Sequence, residues 1–288
     1  MGSRDSSPDR HRSPTERHRS EHGAWDRVAG SAPRPTLTRV EMERFAFVGG
    51  AGTELAAVVR RPDGPVRGSV LMAHCFTCSK DLHTVARLAR RMTDAGWVTF
   101  SFDFTGLGES EGEFASSTVS TNVGDLRRAA VAMLQRDIGP CLLLGHSLGG
   151  TAAVLAAGSL HTVDALVCIA SPADVDHVRR LLPDDAATRP GRFPISIGGR
   201  PFELDPQFLV DLEDHDVLAA AARLGRPMLV VEAGADGIVG PDQTSALAAA
   251  GAADLARVEG ADHLFSRPEH ARRLGEIVVE WASKHATG

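Results

Sequence analysis

From Glu41 onward the chain alternates short apolar runs with longer stretches in which apolar residues recur every three or four positions. Arg44 to Val48 and Glu54 to Arg60 flank Gly49-Gly50, the pattern of two antiparallel strands joined by a glycine turn. Ser69 to His74, Trp97 to Phe102, Cys141 to Gly145, Val163 to Ala170 and Pro227 to Glu232 are compact, mostly apolar runs that read as buried strands. Asp254 to Val258 reads as a last, short strand. Between them, Asp81 to Ala95, Asn122 to Gln135, Leu148 to Ala157 and Pro268 to Lys284 carry helical periodicity. In the first of these helices Leu82, Val85, Leu88 and Ala89 share a face, and Ser79 is placed to cap it. This order predicts an α/β fold with a mostly parallel sheet covered by helices on both faces.

One long stretch, between Ala170 and Pro227, breaks the alternation. Phe193, Ile195 and Ile197 alternate up to Gly198-Gly199 and Arg200 to Leu204 follows, which signals a hairpin. Asp205-Pro206 then reads as the cap and first turn of a helix with Phe208, Leu209 and Leu212 on its apolar face. An insertion at the carboxyl edge of a parallel sheet is well placed to cover a site, so residues 174–223 are expected to form a cap or lid. The alternative is an excursion with no role in chemistry. Residues 1–35 differ from all of this: Arg, His, Ser, Asp and Pro dominate, and Trp25 is the only large aromatic. They carry too little apolar surface to offset ordering entropy, so a disordered tail is expected ahead of one domain spanning 36–288.

Charge and composition narrow the function classes. The net charge of −6 over 288 residues argues against a dedicated nucleic-acid binder. No apolar run approaches the roughly 20 residues of a membrane span. Four cysteines exclude a disulfide scaffold and suit a reducing compartment, so a cytoplasmic protein with neither nucleic-acid nor membrane partners is expected. Oligomeric state stays open.

The most informative segment is Gly145-His146-Ser147-Leu148-Gly149, a G-x-S-x-G pattern between a Leu-rich strand and an Ala-rich helix. A serine on so sharp a turn has strained torsions, and the positions two before and two after it come too close for side chains, which glycine satisfies. The turn sets Ser147 at the positive end of a helix dipole. Serine needs a base, and of twelve histidines His263 is the best candidate, in a loop between the last strand and the last helix. His146 adjoins Ser147, but neighbouring side chains on the turn diverge. The orienting carboxylate is expected in Asp236, after the preceding strand, with Glu232 and Asp262 as rivals. The chain order Ser147, Asp236, His263 is that of an α/β-hydrolase.

The oxyanion left by attack needs two amides: Leu148, and Phe76 in the loop His74-Cys75-Phe76-Thr77-Cys78-Ser79-Lys80-Asp81. His74 there reads as a structural hydrogen-bonder. Cys75 and Cys78 form a C-x-x-C, open to redox chemistry or a metal half-site, although no second pair completes a metal site.

Over Glu41 to His285 the sequence resembles the α/β-hydrolase superfamily, and Asp103-Phe104-Thr105-Gly106-Leu107-Gly108-Glu109-Ser110 looks like its D-x-x-G-x-G-x-S turn. More narrowly, His74 to Asp81, Phe102 to Phe114 and Gly198 to Phe202 resemble the hydrolase half of bacterial proteins that fuse such a domain to an OsmC-type peroxidase. The resemblance implies an eight-stranded, mostly parallel sheet with the second strand antiparallel and an insertion between strands six and seven. It also implies that Asp103 ties its loop. The chain ends at Gly288 with no OsmC-type half, so no peroxidase activity carries over. Cys75 stands where many hydrolases have Gly.

The resulting expectation is a serine hydrolase that cleaves a small carboxylic ester or related acyl compound through an acyl-enzyme, with no metal and no organic cofactor. Cys75, Phe193, Phe202 and Phe208 are expected to line the acyl pocket. The alternatives are the same triad acting on an amide, thioester or carbon–carbon bond, and a non-catalytic ligand-binding member of the fold.

Overall fold

A computed structural model of the chain describes residues 41–174, 190–197 and 200–286, with 177, 179, 182, 185 and 186 between them. The expected tail over 1–35, the Gly198-Gly199 turn and much of the first half of the insertion lie outside these residues. Residues 38–288 form one compact unit.

Eight strands make the main sheet. β1 (Glu41–Val48) and β2 (Glu54–Arg61) pair antiparallel from Glu41 opposite Arg61 to Val48 opposite Glu54. They are followed by β3 (Gly68–Ala73), β4 (Trp97–Phe102), β5 (Leu142–His146) and β6 (Ala165–Ile169). A separate hairpin, β7 (Phe193–Ile197) with β8 (Arg200–Leu204), comes next, and β9 (Met228–Ala233) and β10 (Asp254–Val258) complete the main sheet. The order is β1-β2-β4-β3-β5-β6-β9-β10; β2 is antiparallel to both β1 and β4, and every other neighbouring pair of the sheet is parallel. Every residue of β3, β4, β5, β6 and β9 is buried, which is why their sequences run apolar instead of alternating. This is the α/β-hydrolase fold, with the insertion between the sixth and seventh strands of the main sheet.

Helices cover both faces. On one, α2 (Val119–Leu134), α3 (Leu148–Ala157), α5 (Val217–Ala222) and α6 (Pro241–Ala250) bury Leu126, Ala153, Val217 and Leu247 against the sheet. On the other, α1 (His83–Asp94) and α7 (Pro268–His285) bury Leu88, Met92, Leu274 and Val278. Between β8 and α5 lies α4 (Gln207–Glu213). Among the described residues no helix is long and apolar enough to cross a membrane.

Three local expectations are corrected. Ser79 does not cap α1: the helix starts at His83 after Leu82, and Ser79 offers only its carbonyl, 3.0 Å from the Leu82 amide. The residues before α1 are instead held by Lys80, whose amide donates to Asp103 Oδ1 at 2.6 Å. Helix α2 begins before Asn122, because Thr118 and Thr121 form a reciprocal capping box without the usual Glu or Gln. Asp205 does not cap α4, because its carboxylate accepts from Ser116 Oγ at 2.8 Å and Arg192 Nε at 3.2 Å, and Pro206 takes the cap position.

Candidate active site

The turn from β5 into α3 is built by close backbone packing. Ser147 stands at φ 54° and ψ −129°, torsions that a residue with a side chain rarely adopts. The turn is so tight that a Cβ on Gly145 would lie 2.4 Å from the Gly149 carbonyl oxygen, and one on Gly149 would lie 2.2 Å from that of His74. Ser147 is locked from its other side by its amide, which donates to the Ile169 carbonyl at 2.8 Å. Such strain costs about 1–3 kcal/mol and persists only where the surroundings over-determine it.

His263 sits in the loop between β10 and α7, with its Nδ1 2.8 Å from Asp236 Oδ2. The other oxygen, Asp236 Oδ1, accepts from the Ile238 and Val239 amides at 2.8 and 2.9 Å, which fixes the carboxylate plane. Burial alone would raise the Asp236 carboxyl, but His263 and these two amides outweigh it and hold it below the usual carboxylate range. With Nδ1 engaged, His263 Nε2 is the nitrogen left for proton transfer. In this structure Ser147 Oγ makes no hydrogen bond to it among the described residues. That contact is often loose until substrate binds.

The neighbour of the serine has a task that its sequence position did not reveal. His146 Nε2 donates to the main-chain carbonyl of His263 at 2.8 Å, and the two rings lie 5.1 Å apart. The elbow therefore carries the loop that bears His263. His146 Nδ1 is buried without a partner, and burial, with His263 beside it, drives the imidazole pKa down to about 3. Of the rival acids, Glu232 is occupied by Thr244 Oγ1 at 2.8 Å and Arg257 at 2.5 Å. Asp262 accepts from the Ser266 amide at 2.7 Å.

The loop after β3 lies against the elbow through the His74 carbonyl, the atom that a Cβ on Gly149 would strike. His74 is fully buried with both nitrogens used: Nδ1 donates to the Cys75 carbonyl at 2.8 Å and Nε2 accepts from the Phe104 amide at 3.2 Å. Burial keeps it neutral by lowering its pKa. Cys75 and Cys78 are joined by a disulfide, and the Cys78 amide donates to the Cys75 carbonyl at 3.1 Å. Inside this ring stand Phe76 and Thr77, the latter at φ 63°. Neither the Phe76 nor the Leu148 amide finds an acceptor within the chain among the described residues. Beyond the ring, buried Lys80 donates to Asp103 Oδ2 at 2.8 Å and to Glu109 at 2.5 Å, and Asp103 Oδ2 also accepts the Glu109 amide at 2.9 Å. Burial would lower the Lys80 pKa, but its bonds to Asp103, Glu109 and Asp81 raise it. Asp103 thus ties the two loops together.

Phe193 and Phe208 are fully buried in one cluster with Leu148, Val119, Leu204 and Leu212. This cluster seats the hairpin and α4 on the elbow. Phe202 is half-buried against Phe114, at 5.1 Å between centroids. The Phe76 ring packs at 4.9 Å from Phe114 and 5.5 Å from Phe208. Phe114, which precedes α2, is an aromatic member of this wall that the sequence pattern did not single out. Cys141 and Cys168 are buried free thiols, and among the described residues no three metal-ligating side chains converge.

Comparison with known proteins bears on the family and the fold. Residues 64–189 match the family described as serine aminopeptidase, S33. The esterase domain of a Rhodothermus marinus protein is 35% identical, with a TM-score of 0.72 over 85% of this chain and 99% of that one. Est1E from Butyrivibrio proteoclasticus, solved with ferulic acid bound, is 21% identical, with a TM-score of 0.74 over 83% of this chain and 98% of that one. The Pyrococcus furiosus esterase Pf2001 is 15% identical, with a TM-score of 0.66 over 91% of this chain and 97% of that one. At these lower identities the likeness is one of fold. No curated protein matches the sequence.

Proposed function

The chain belongs to the α/β-hydrolase superfamily, and from that premise we propose that it is a serine esterase acting on small carboxylic esters through Ser147, His263 and Asp236. His263 Nε2 takes the proton of Ser147 Oγ as the hydroxyl attacks the ester carbonyl. The Phe76 and Leu148 amides receive the negative charge that develops on the carbonyl oxygen. Collapse expels the alcohol, which takes the proton back from His263 and leaves an acyl-enzyme that water hydrolyses by the same steps. Asp236 holds His263 with Nδ1 protonated and stabilises the imidazolium. No metal or organic cofactor enters any step.

The observation that carries this reading is the 2.8 Å bond between His263 Nδ1 and an Asp236 already anchored by two amides, on a loop tethered by His146 to a serine at positive φ. Residues 36–288 are then the catalytic domain, and the insertion over 174–223 is its lid, with Phe202 and Phe76 facing the acyl group. The ferulic acid held by Est1E suggests including aromatic acyl groups among the test substrates. A second reading, amide cleavage, is favoured by the aminopeptidase description of the matching family. The test is labelling of Ser147 by a fluorophosphonate, followed by matched p-nitrophenyl esters and aminoacyl p-nitroanilides. Ester turnover that depends on Ser147 supports the first reading. Faster anilide turnover would replace it with the second.

A further inference from the structure

We propose that the Cys75–Cys78 bridge is a thiol–disulfide exchange site that sets the oxyanion hole, and that a dithiol reductant switches turnover off by opening it. This rests on the reading of Phe76 as an oxyanion donor. The bridge joins the first and last residues of a four-residue turn, and the two residues that it encloses are Phe76 and Thr77. Thr77 is β-branched and stands at φ 63°, a conformation that such residues avoid unless something imposes it. On both sides of the turn the chain is pinned. His74 is fixed through both ring nitrogens, and Lys80 is fixed by its amide and ammonium on Asp103. Across the turn itself, the Cys78 amide donates to the Cys75 carbonyl at 3.1 Å, in parallel with the covalent link. The bridge thus closes the turn that carries the Phe76 amide, between two pinned flanks.

Access is asymmetric. Cys75 is 2% exposed, whereas Cys78 is half-buried, which makes Cys78 the sulfur that an incoming thiolate is expected to attack. That thiolate bonds to Cys78 Sγ, and Cys75 Sγ departs with the electron pair and takes a proton. The second thiol of the reductant then displaces Cys78 Sγ, which is also protonated. The protein gains two electrons and two protons, and the dithiol leaves as its disulfide. Cys141 and Cys168 are buried with raised pKa values, that of Cys168 pushed up to about 12, so they do not compete under native conditions. The Phe76 ring also packs on Phe114 and Phe208, so an unchanged kcat on reduction would assign the hold on its amide to these rings and not to the bridge.

The experiment compares the full chain before and after dithiothreitol, with native alkylation and intact mass counting the thiols. Reduction should expose two further thiols and lower kcat roughly ten- to a hundredfold with KM nearly unchanged. Reoxidation should restore kcat. The double variant Cys75→Ser/Cys78→Ser should show the same low kcat and no response to dithiothreitol. An unchanged kcat on reduction overturns the proposal, as do thiols that stay alkylatable after oxidation. A fall in kcat matched by loss of circular dichroism also overturns it, since the bridge would then only support the fold. These failures are distinct from failure of the esterase reading, which Ser147→Ala tests in the oxidised protein.

Discussion

Two turns at the carboxyl edge of the sheet hold residues in backbone conformations that side chains resist, and they do so by opposite means. At the elbow, Ser147 is held at φ 54° by backbone pressed against backbone, with glycines where a Cβ would strike a carbonyl. At the turn after β3, Thr77 is held at φ 63° with a disulfide closing the turn around it. Packing of the first kind cannot be undone without unfolding its surroundings. A covalent closure can be undone by one reaction. The two amides expected to share the oxyanion, Leu148 and Phe76, thus have supports of different permanence.

The largest effect should come from the packed side of this comparison. Ser147→Ala should lower ester kcat by about 10⁶ and abolish fluorophosphonate labelling with the fold intact. A variant retaining a tenth of wild-type turnover would remove Ser147 from the chemistry. Next, Phe208→Ala takes away a ring under Phe76, and Phe193→Ala a ring beneath the hairpin. Each should cost about 3–5 kcal/mol in urea unfolding if it serves as core. Phe202→Ala, half-buried, should instead raise KM or shift acyl-length preference more than it lowers stability. Unchanged chain-length profiles in all three would leave the insertion without a part in substrate choice.

A smaller effect joins the two turns. Gly149→Ala drives a methyl into the His74 carbonyl and should cost about 1–3 kcal/mol while lowering kcat more than it raises KM. A fully stable variant would mean that the two loops are not in rigid contact. The last effect concerns pH and leaves stability at neutral pH aside. His146 stays neutral in the fold down to about pH 3, whereas the unfolded imidazole takes its proton at its ordinary value of 6.5. Between those limits the unfolded state binds more protons, so stability falls as pH drops through the window. His146→Gln should flatten this part of the urea-midpoint profile between about pH 6.5 and pH 3. Buried His74, with its own lowered pKa, leaves the variant some acid sensitivity. A variant profile parallel to the wild type would place the acid sensitivity elsewhere.

Much of the fold was legible because its signals are local. The apolar runs of β3 to β6 and the glycine pattern around Ser147 speak through composition and spacing alone. The Asp236–His263 contact was legible through chain order, since each residue follows a strand that the pattern had already located. What escaped reading depends on contacts distant in sequence. Nothing near His146 announces that its ring reaches the His263 carbonyl, and nothing near Ser79 shows that Lys80 and Asp103 take over the anchoring of its loop. The C-x-x-C offered a pair of thiols, but whether they bridge, and what they enclose, depends on the turn between them. Phe114 joins the aromatic wall only because the short 3₁₀ turn at Phe114–Ser116 faces the insertion.

The burial of Lys80 also shapes how the protein meets reagents. The sequence contains two lysines, Lys80 and Lys284. The first is 2% exposed and clasped by carboxylates, whereas the second is 62% exposed near the end of α7. An activated ester or cross-linker aimed at side-chain amines therefore meets one accessible target in the folded domain. Attachment to a bead or a dye through Lys284 gives a single orientation, with the linkage on α7 and not on the loop that carries Phe76.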